Sequence, residues 1–216
     1  MNISHQLVKT LSTVCIVGLV FYSIIIHEVS HAFAAYALGD DSAKRAGRLS
    51  FNPRKHIDPF GTIILPLILW FSAGFIFGYA KPVPFNPYNF KNYKRDSGLT
   101  ALAGPASNIL IAVLLSVFYH LFSMFPIVQY ILMYVILMNL LLAFFNLIPV
   151  PPLDGSKILG MFLSDSAYLK WTAQERKGMI YLFAIIIITN LLGINLIGRF
   201  VMPPIALVMK LLGVPF

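Results

Sequence analysis

Apolar residues in this chain fall into long uncharged runs separated by short polar stretches. No charged side chain lies between Thr10 and Ile26, and the apolar pattern continues to Leu38 around His27, Glu28 and His31. That is the length of a tilted membrane-spanning helix, which Gly39-Asp40-Asp41 would end. Lys9 ahead of the run gives it the look of a signal peptide, but the run passes into a polar triplet instead of a small-residue cleavage site. Residues 59–80 are uncharged and just long enough to span, while Gly61, Pro66, Gly74 and Gly78 suit a broken, re-entrant segment buried against protein. Residues 97–153 contain no Asp, Glu, Lys or Arg, too long a run for one crossing. Ser123-Met124-Phe125-Pro126 reads as the turn between two spans, 98–122 and 127–149. A further run over 178–198 fits one more crossing. The tail from Met202-Pro203-Pro204 to Leu212 is too short to cross and is expected at the interface. Three prolines hold 79–87 extended, as an edge strand or as a plain surface loop. The pattern predicts an all-α polytopic membrane protein with about four transmembrane helices, a re-entrant segment and a short extended or β element.

Composition supports this. Hydrophobic residues make up 58% of the 216 and charged ones 11%, against about 45–50% and about 25% in a soluble domain. A mean hydropathy of +0.81 is more apolar surface than a globule of this size hides. A disordered chain and a disulfide scaffold are excluded, the latter because Cys15 is the single cysteine. The net charge of +8 does not indicate nucleic acid. Its Lys and Arg cluster between apolar runs: Lys44, Arg45, Arg48, Arg54 and Lys55; then Lys81, Lys91, Lys94 and Arg95; then Lys157, Lys170, Arg176 and Lys177. Positive loops beside apolar spans mark the cytoplasmic side, near anionic lipid.

The candidate chemistry sits on the first span. His27-Glu28-Val29-Ser30-His31 is an H-E-x-x-H sequence, and four residues are just over one helical turn. Both imidazoles therefore project from one face and can share a metal ion, while Glu28, one step round, reaches a water at the metal and accepts its proton. With five His and two Glu in the chain, chance places such a motif in about one sequence in a thousand. A charged residue inside a membrane segment costs about 2.5–3.5 kcal/mol, so it is paired or functional. The plainer reading is a Glu28–His pair facing a small water cavity. Zinc suits imidazole and carboxylate ligands. A catalytic zinc takes three protein ligands, and the best third candidate is Asp154 in Pro149-Val150-Pro151-Pro152-Leu153-Asp154-Gly155. The prolines end the preceding helix there, and Gly155 permits a tight turn. The plainer role for Asp154 is the N-cap of a helix starting near Ser156.

Taken together these residues resemble the site-2 protease family of intramembrane zinc metalloproteases, which pairs H-E-x-x-H on one membrane helix with an L-D-G-type motif at a later one. Gly104-Pro105-Ala106-Ser107-Asn108 adds to the resemblance. So do Asn52-Pro53-Arg54-Lys55-His56-Ile57-Asp58-Pro59 and Ala80-Lys81-Pro82-Val83-Pro84, which are similar to stretches of the compact bacterial and archaeal branch. The match runs from about residue 20 to 160. It implies one zinc per chain bound by His27, His31 and Asp154, with Glu28 activating the water. It also implies a prokaryotic cell membrane and substrates that are themselves membrane-spanning. The expected organisation is a single domain over 1–216, with a catalytic core at about 10–160 and C-terminal helices at about 161–216. No span added before the H-E-x-x-H helix and no PDZ or CBS domain is evident, so substrate delivery and regulation stay open.

Depth tests the arrangement without the family. Ligands of one metal lie at one depth, so the H-E-x-x-H helix and the span before Asp154 should run parallel. They do so if 59–80 dips in and returns. The same choice puts the basic loops on one side, the N-terminus outside and the active site toward the cytoplasm. Three further residues have two readings each. Asn108 and Asn146 offer a hydrogen bond to the scissile carbonyl or its oxyanion, or serve as interhelical glue. His56 beside Asp58 assists substrate binding or proton transfer, or is an interfacial turn histidine. Gly104-Pro105 reads as close packing or a kink, and His5 and His120 as interfacial. The expected activity is hydrolysis of peptide bonds in membrane proteins within the lipid bilayer. The rivals are a non-proteolytic membrane metal-binding or transport protein, which would need more polar residues along its spans, and a silent protease-like chaperone, which would not need Glu28.

Overall fold

The computed structural model describes residues 3–64, 68, 81–193, 195 and 197–216. They form α1 (Ile3–Ala37), α2 (Ser42–Arg45), α3 (Tyr93–Leu121), α4 (Pro126–Asn146), α5 (Asp154–Gly160), α6 (Asp165–Thr172), α7 (Glu175–Leu191) and α8 (Met202–Leu211). α1 continues for 35 residues because it contains no proline and only one glycine, Gly18. It stops at Gly39, whose φ of +107° suits a residue without Cβ. There the Asp40 N–H closes the last turn on the Ala35 carbonyl at 2.9 Å. α3 starts at Asn92, whose side chain accepts from the Arg95 N–H at 3.1 Å, while Asp96 accepts from the Asn92 N–H at 3.0 Å. α4 starts with a proline, where the missing N–H is not needed.

Among the described residues, α1, α3 and α4 are long and apolar enough to cross a membrane. The fourth crossing expected over 178–198 falls on α7, which has 17 residues and begins Glu175-Arg176-Lys177. The re-entrant reading of 59–80 lies mostly outside the described residues, of which Pro59–Ile64 form a π-type turn. None of the described residues is in a strand, and 81–86 run as irregular chain. The tail does not merely lie over the bundle. Ile205 and Met209 of α8 are fully buried with Ala112 of α3 and Ile136 and Leu140 of α4. Ten residues cannot span, but they can plug the cleft between two helices that do.

Side-chain pairs fix the directions of the helices. His31 meets Thr100 and His27 meets Asn108, so α1 and α3 are antiparallel. Ser23 meets Asn139, and a shallow groove near the start of α1 brings His5, Lys9 and Ser12 to Pro126 and Tyr130. α1 and α4 are therefore parallel, as the depth argument requires. Leu7, Val14, Leu110 and Val117 face outward, and the facing surfaces carry small or polar residues, Gly104, Asn108, Ala112, Asn139 and Ala143.

The segment before α3 is tied to the end of α1 by Asp40. This buried carboxylate accepts from Ser42 N and Oγ at 3.1 and 2.6 Å, from Asn86 N at 2.7 Å and from Asn89 Nδ2 at 2.7 Å. Burial opposes the charge, but the Ser42, Asn89 and Asn86 donors outweigh it and hold the carboxyl below its usual range. The clamp is therefore complete above about pH 3.9, the ordinary aspartate value, and is lost as pH falls through the lower folded value. Asp40→Asn turns one acceptor into a donor. It is expected to speed hydrogen exchange of the Asn86 amide about 10- to 100-fold at pH 7. Variant and wild type should converge as acid protonates Asp40, and equal exchange at pH 7 would rule out the clamp.

Candidate metal centre

His27 and His31 sit one turn apart on α1, with Gly104 of α3 directly opposite. A Cβ at Gly104 would come 2.6 Å from His27 Cε1 and closer still to His31 Nε2, so only glycine lets both rings lie against α3. Asp154 opens α5 just after the proline-rich break. Gly155 beside it lies so close to the Leu147 and Ile148 backbone that a Cβ would collide with both. The N-cap of α5 is Leu153, so capping is not what Asp154 does.

The hydrogen bonds of the two imidazoles decide where their lone pairs point. His31 Nδ1 lies 2.7 Å from the Thr100 carbonyl, which can only accept, so Nδ1–H donates and, in the neutral ring, Nε2 carries the lone pair. His27 Nδ1 likewise donates to Asn108 Oδ1 at 2.6 Å. The two Nε2 atoms lie 3.1 Å apart, and Asp154 Oδ2 lies 3.3 Å from one and 3.4 Å from the other. Asp154 Oδ2 is buried and has no hydrogen-bond partner among the described residues. Three lone-pair atoms facing one another in a buried place repel unless a cation lies between them. In a tetrahedral zinc site with bonds of about 2.0–2.1 Å, ligand atoms are about 3.3–3.4 Å apart. The observed separations match one face of such a tetrahedron. His27, His31 and Asp154 thus fit a metal of this kind.

Glu28 lies beside this group, half-buried. Its Oε2 accepts from the Val83 N–H at 3.0 Å. The segment carrying Val83 is held in turn by Arg48, whose guanidinium donates to the Lys55 and Lys81 carbonyls, and by Lys81 N, which donates to the His56 carbonyl at 2.9 Å. Burial lowers the pKa of Arg48, and the charge on Glu28 partly offsets this. Lys157 of α5 stacks over Phe85 of the same segment at 4.6 Å.

The remaining sequence candidates have partners within the protein. Asn108 gives its amide to His27 and to Asn139, which favours the interhelical reading over an oxyanion donor. Asn146 turns its Nδ2 to the Leu142 carbonyl of its own helix at 2.9 Å. His56 is fully buried, with Nε2 donating to the Ser50 carbonyl at 2.7 Å. It ties its own loop together. Sequence reasoning missed Asn139, although an amide in the middle of an apolar span is a signal in itself. It also missed the Val83 N–H, which as a backbone group leaves no mark in the sequence.

The sequence profile of peptidase family M50 matches residues 123–191. YwhC of Bacillus subtilis, named a zinc metalloprotease, is 38% identical over 179 residues, 78% of each chain. MJ0611 of Methanocaldococcus jannaschii, similarly named, is 35% identical over 95 residues, 43% of this chain and 50% of that one. Rip2 of Mycobacterium tuberculosis, also named a zinc metalloprotease, is 26% identical over 175 residues, 79% of this chain and 66% of the relative. No solved structure matches the chain. The chain belongs to peptidase family M50, the site-2 metalloproteases.

The close approach at Gly104 yields a test. Gly104→Ala favours the helix by up to about 1 kcal/mol, yet pushes a methyl group into both imidazoles. Metal affinity, measured by chelator competition, is expected to fall at least about 10-fold with helix content unchanged. An unchanged affinity would mean that the rings are not held against α3.

Proposed function

We propose that this chain hydrolyses peptide bonds of membrane-spanning proteins, using one zinc ion held by His27, His31 and Asp154 with Glu28 as general base. The observation that carries this reading is the convergence of three lone-pair atoms within 3.1–3.4 Å of one another, beside a carboxylate that binds none of them. Zinc bound there would polarise the scissile carbonyl and lower the pKa of the attacking water. Glu28 takes the proton from that water and delivers it to the leaving amine nitrogen. The Val83 N–H holds Oε2 and leaves Oε1 for this exchange.

A membrane helix hides its carbonyls in its own hydrogen bonds, so the substrate unwinds locally before attack. The proline-bearing segment 81–86, tied across Glu28, lies where an unwound substrate would be held extended. Arg48, Lys55, Lys81, Lys94 and Lys157 lie at the ligand end of the bundle, which supports a cytoplasmic opening and an outer N-terminus. The bacterial and archaeal relatives support a prokaryotic cell membrane. The partners are lipid and protein substrates, with no nucleic acid.

Purified Glu28→Gln is expected to keep its zinc and to cut a panel of single-span reporter proteins about 10²- to 10⁴-fold more slowly than wild type. A variant that cuts at the wild-type rate, or that loses zinc together with activity, would contradict the role given to Glu28.

A further inference from the structure

Beyond the ligands runs a chain of buried polar groups across three helices. His27 Nδ1 donates to Asn108 Oδ1 at 2.6 Å, and Asn108 Nδ2 donates to Asn139 Oδ1 at 2.9 Å. Asn139 Nδ2 donates to the Val135 carbonyl at 2.8 Å and to Ser23 Oγ at 3.0 Å. Ser23 in turn spends its hydrogen on the Leu19 carbonyl at 3.0 Å. Asn108 and Asn139 are 0% exposed and Ser23 is 4% exposed, so water cannot stand in for a missing partner.

This chain has a direction. A carbonyl only accepts, so the Asn139 atom facing Val135 is the NH₂ group and the atom facing Asn108 is the oxygen. That oxygen requires the NH₂ group of Asn108, which turns the Asn108 oxygen to His27. The oxygen requires the proton on Nδ1, and the lone pair of His27 is left on Nε2, toward Asp154 and His31. Were Asn108 reversed, its NH₂ would meet Nδ1, the imidazole proton would move to Nε2, and an N–H would point into the metal position. Ser23, already committed to Leu19, also accepts from Asn139 and favours the same direction.

We infer that Asn139, which bonds to Asn108, Ser23 and the Val135 carbonyl and to none of the three ligand residues, is a positioning residue that sets the tautomer of His27 by fixing which way the Asn108 amide faces. The inference rests on the proposed zinc centre and adds to it a residue that acts through two others.

A double-variant cycle on the full chain in detergent tests it, with zinc affinity read by chelator competition and thermal melting as the folding control. Asn139→Leu frees Asn108 to reverse and is expected to weaken zinc about 10- to 100-fold. In an Asn108→Asp background, Asn139→Leu is expected to change affinity less than about threefold, because both carboxylate oxygens accept from Nδ1 whichever way the group turns. Equal losses in the two backgrounds would mean that Asn139 matters only for packing, and would overturn the inference. So would no loss in the first. Asn139→Asp, kept neutral by its burial, keeps the size of the side chain, a carbonyl acceptor toward Asn108 and an O–H donor toward the Val135 carbonyl. It is expected to stay within about threefold of wild type even if Asn139→Leu does not fold, and a 10-fold loss in a folded Asn139→Asp protein would also overturn the inference. Wild type that binds zinc but cuts nothing would sink the proteolytic reading and leave this one standing. Wild type that binds no zinc would sink both.

Discussion

Two imidazole nitrogens and one carboxylate oxygen meet at 3.1–3.4 Å in a buried position, each with a lone pair pointing inward. With both rings neutral such a meeting is repulsive, so the surrounding protein must hold it together, and positive charge placed among the three atoms relieves it. Most of the nearby structure serves one of those ends. Gly104 brings α3 close enough to support both rings, and the Thr100 carbonyl and Asn108 keep their protons on the far nitrogen. Gly155 lets the α5 entry fold back against the loop so that Asp154 reaches across.

The helix directions follow from the same constraint. A metal site shared by the end of α1 and the chain after α4 needs those helices parallel, and parallel neighbours cannot be joined by a short loop. The connection through α2, the basic loop and α3 meets that need. The Asp40 clamp and the Arg48 bridge then fasten the returning segment beside the site, where the Val83 N–H meets Glu28. The chemistry and the topology are thus two sides of one requirement, that ligands distant in sequence share one depth.

How far this was legible in the sequence depended on the range of each interaction. His27 and His31 lie within one turn of one helix, so spacing alone puts them on a common face. Asp154 was legible through the backbone break around it, and the parallel arrangement through depth. Residues whose role depends on a neighbour's backbone were not legible. The Thr100 carbonyl and the Val83 N–H have no side-chain signature. Gly104 could be read as close packing, but not as packing against these two rings. Asn108 and His56 were visible as polar residues in apolar surroundings, yet their partners, Asn139 and the Ser50 carbonyl, come from packing and loop geometry. The length of the tail limits spanning and not plugging. Ile205 and Met209, at i and i+4, enter a cleft that exists only once α3 and α4 have packed.

The central claim is that the three converging atoms form one metal site. X-ray absorption at the zinc edge of purified wild-type protein tests it directly. The account predicts about one zinc per chain, with two imidazole nitrogens and carboxylate oxygen in its first coordination sphere at about 2.0–2.1 Å. Folded protein that takes up no zinc, or zinc whose sphere contains no imidazole, would contradict it.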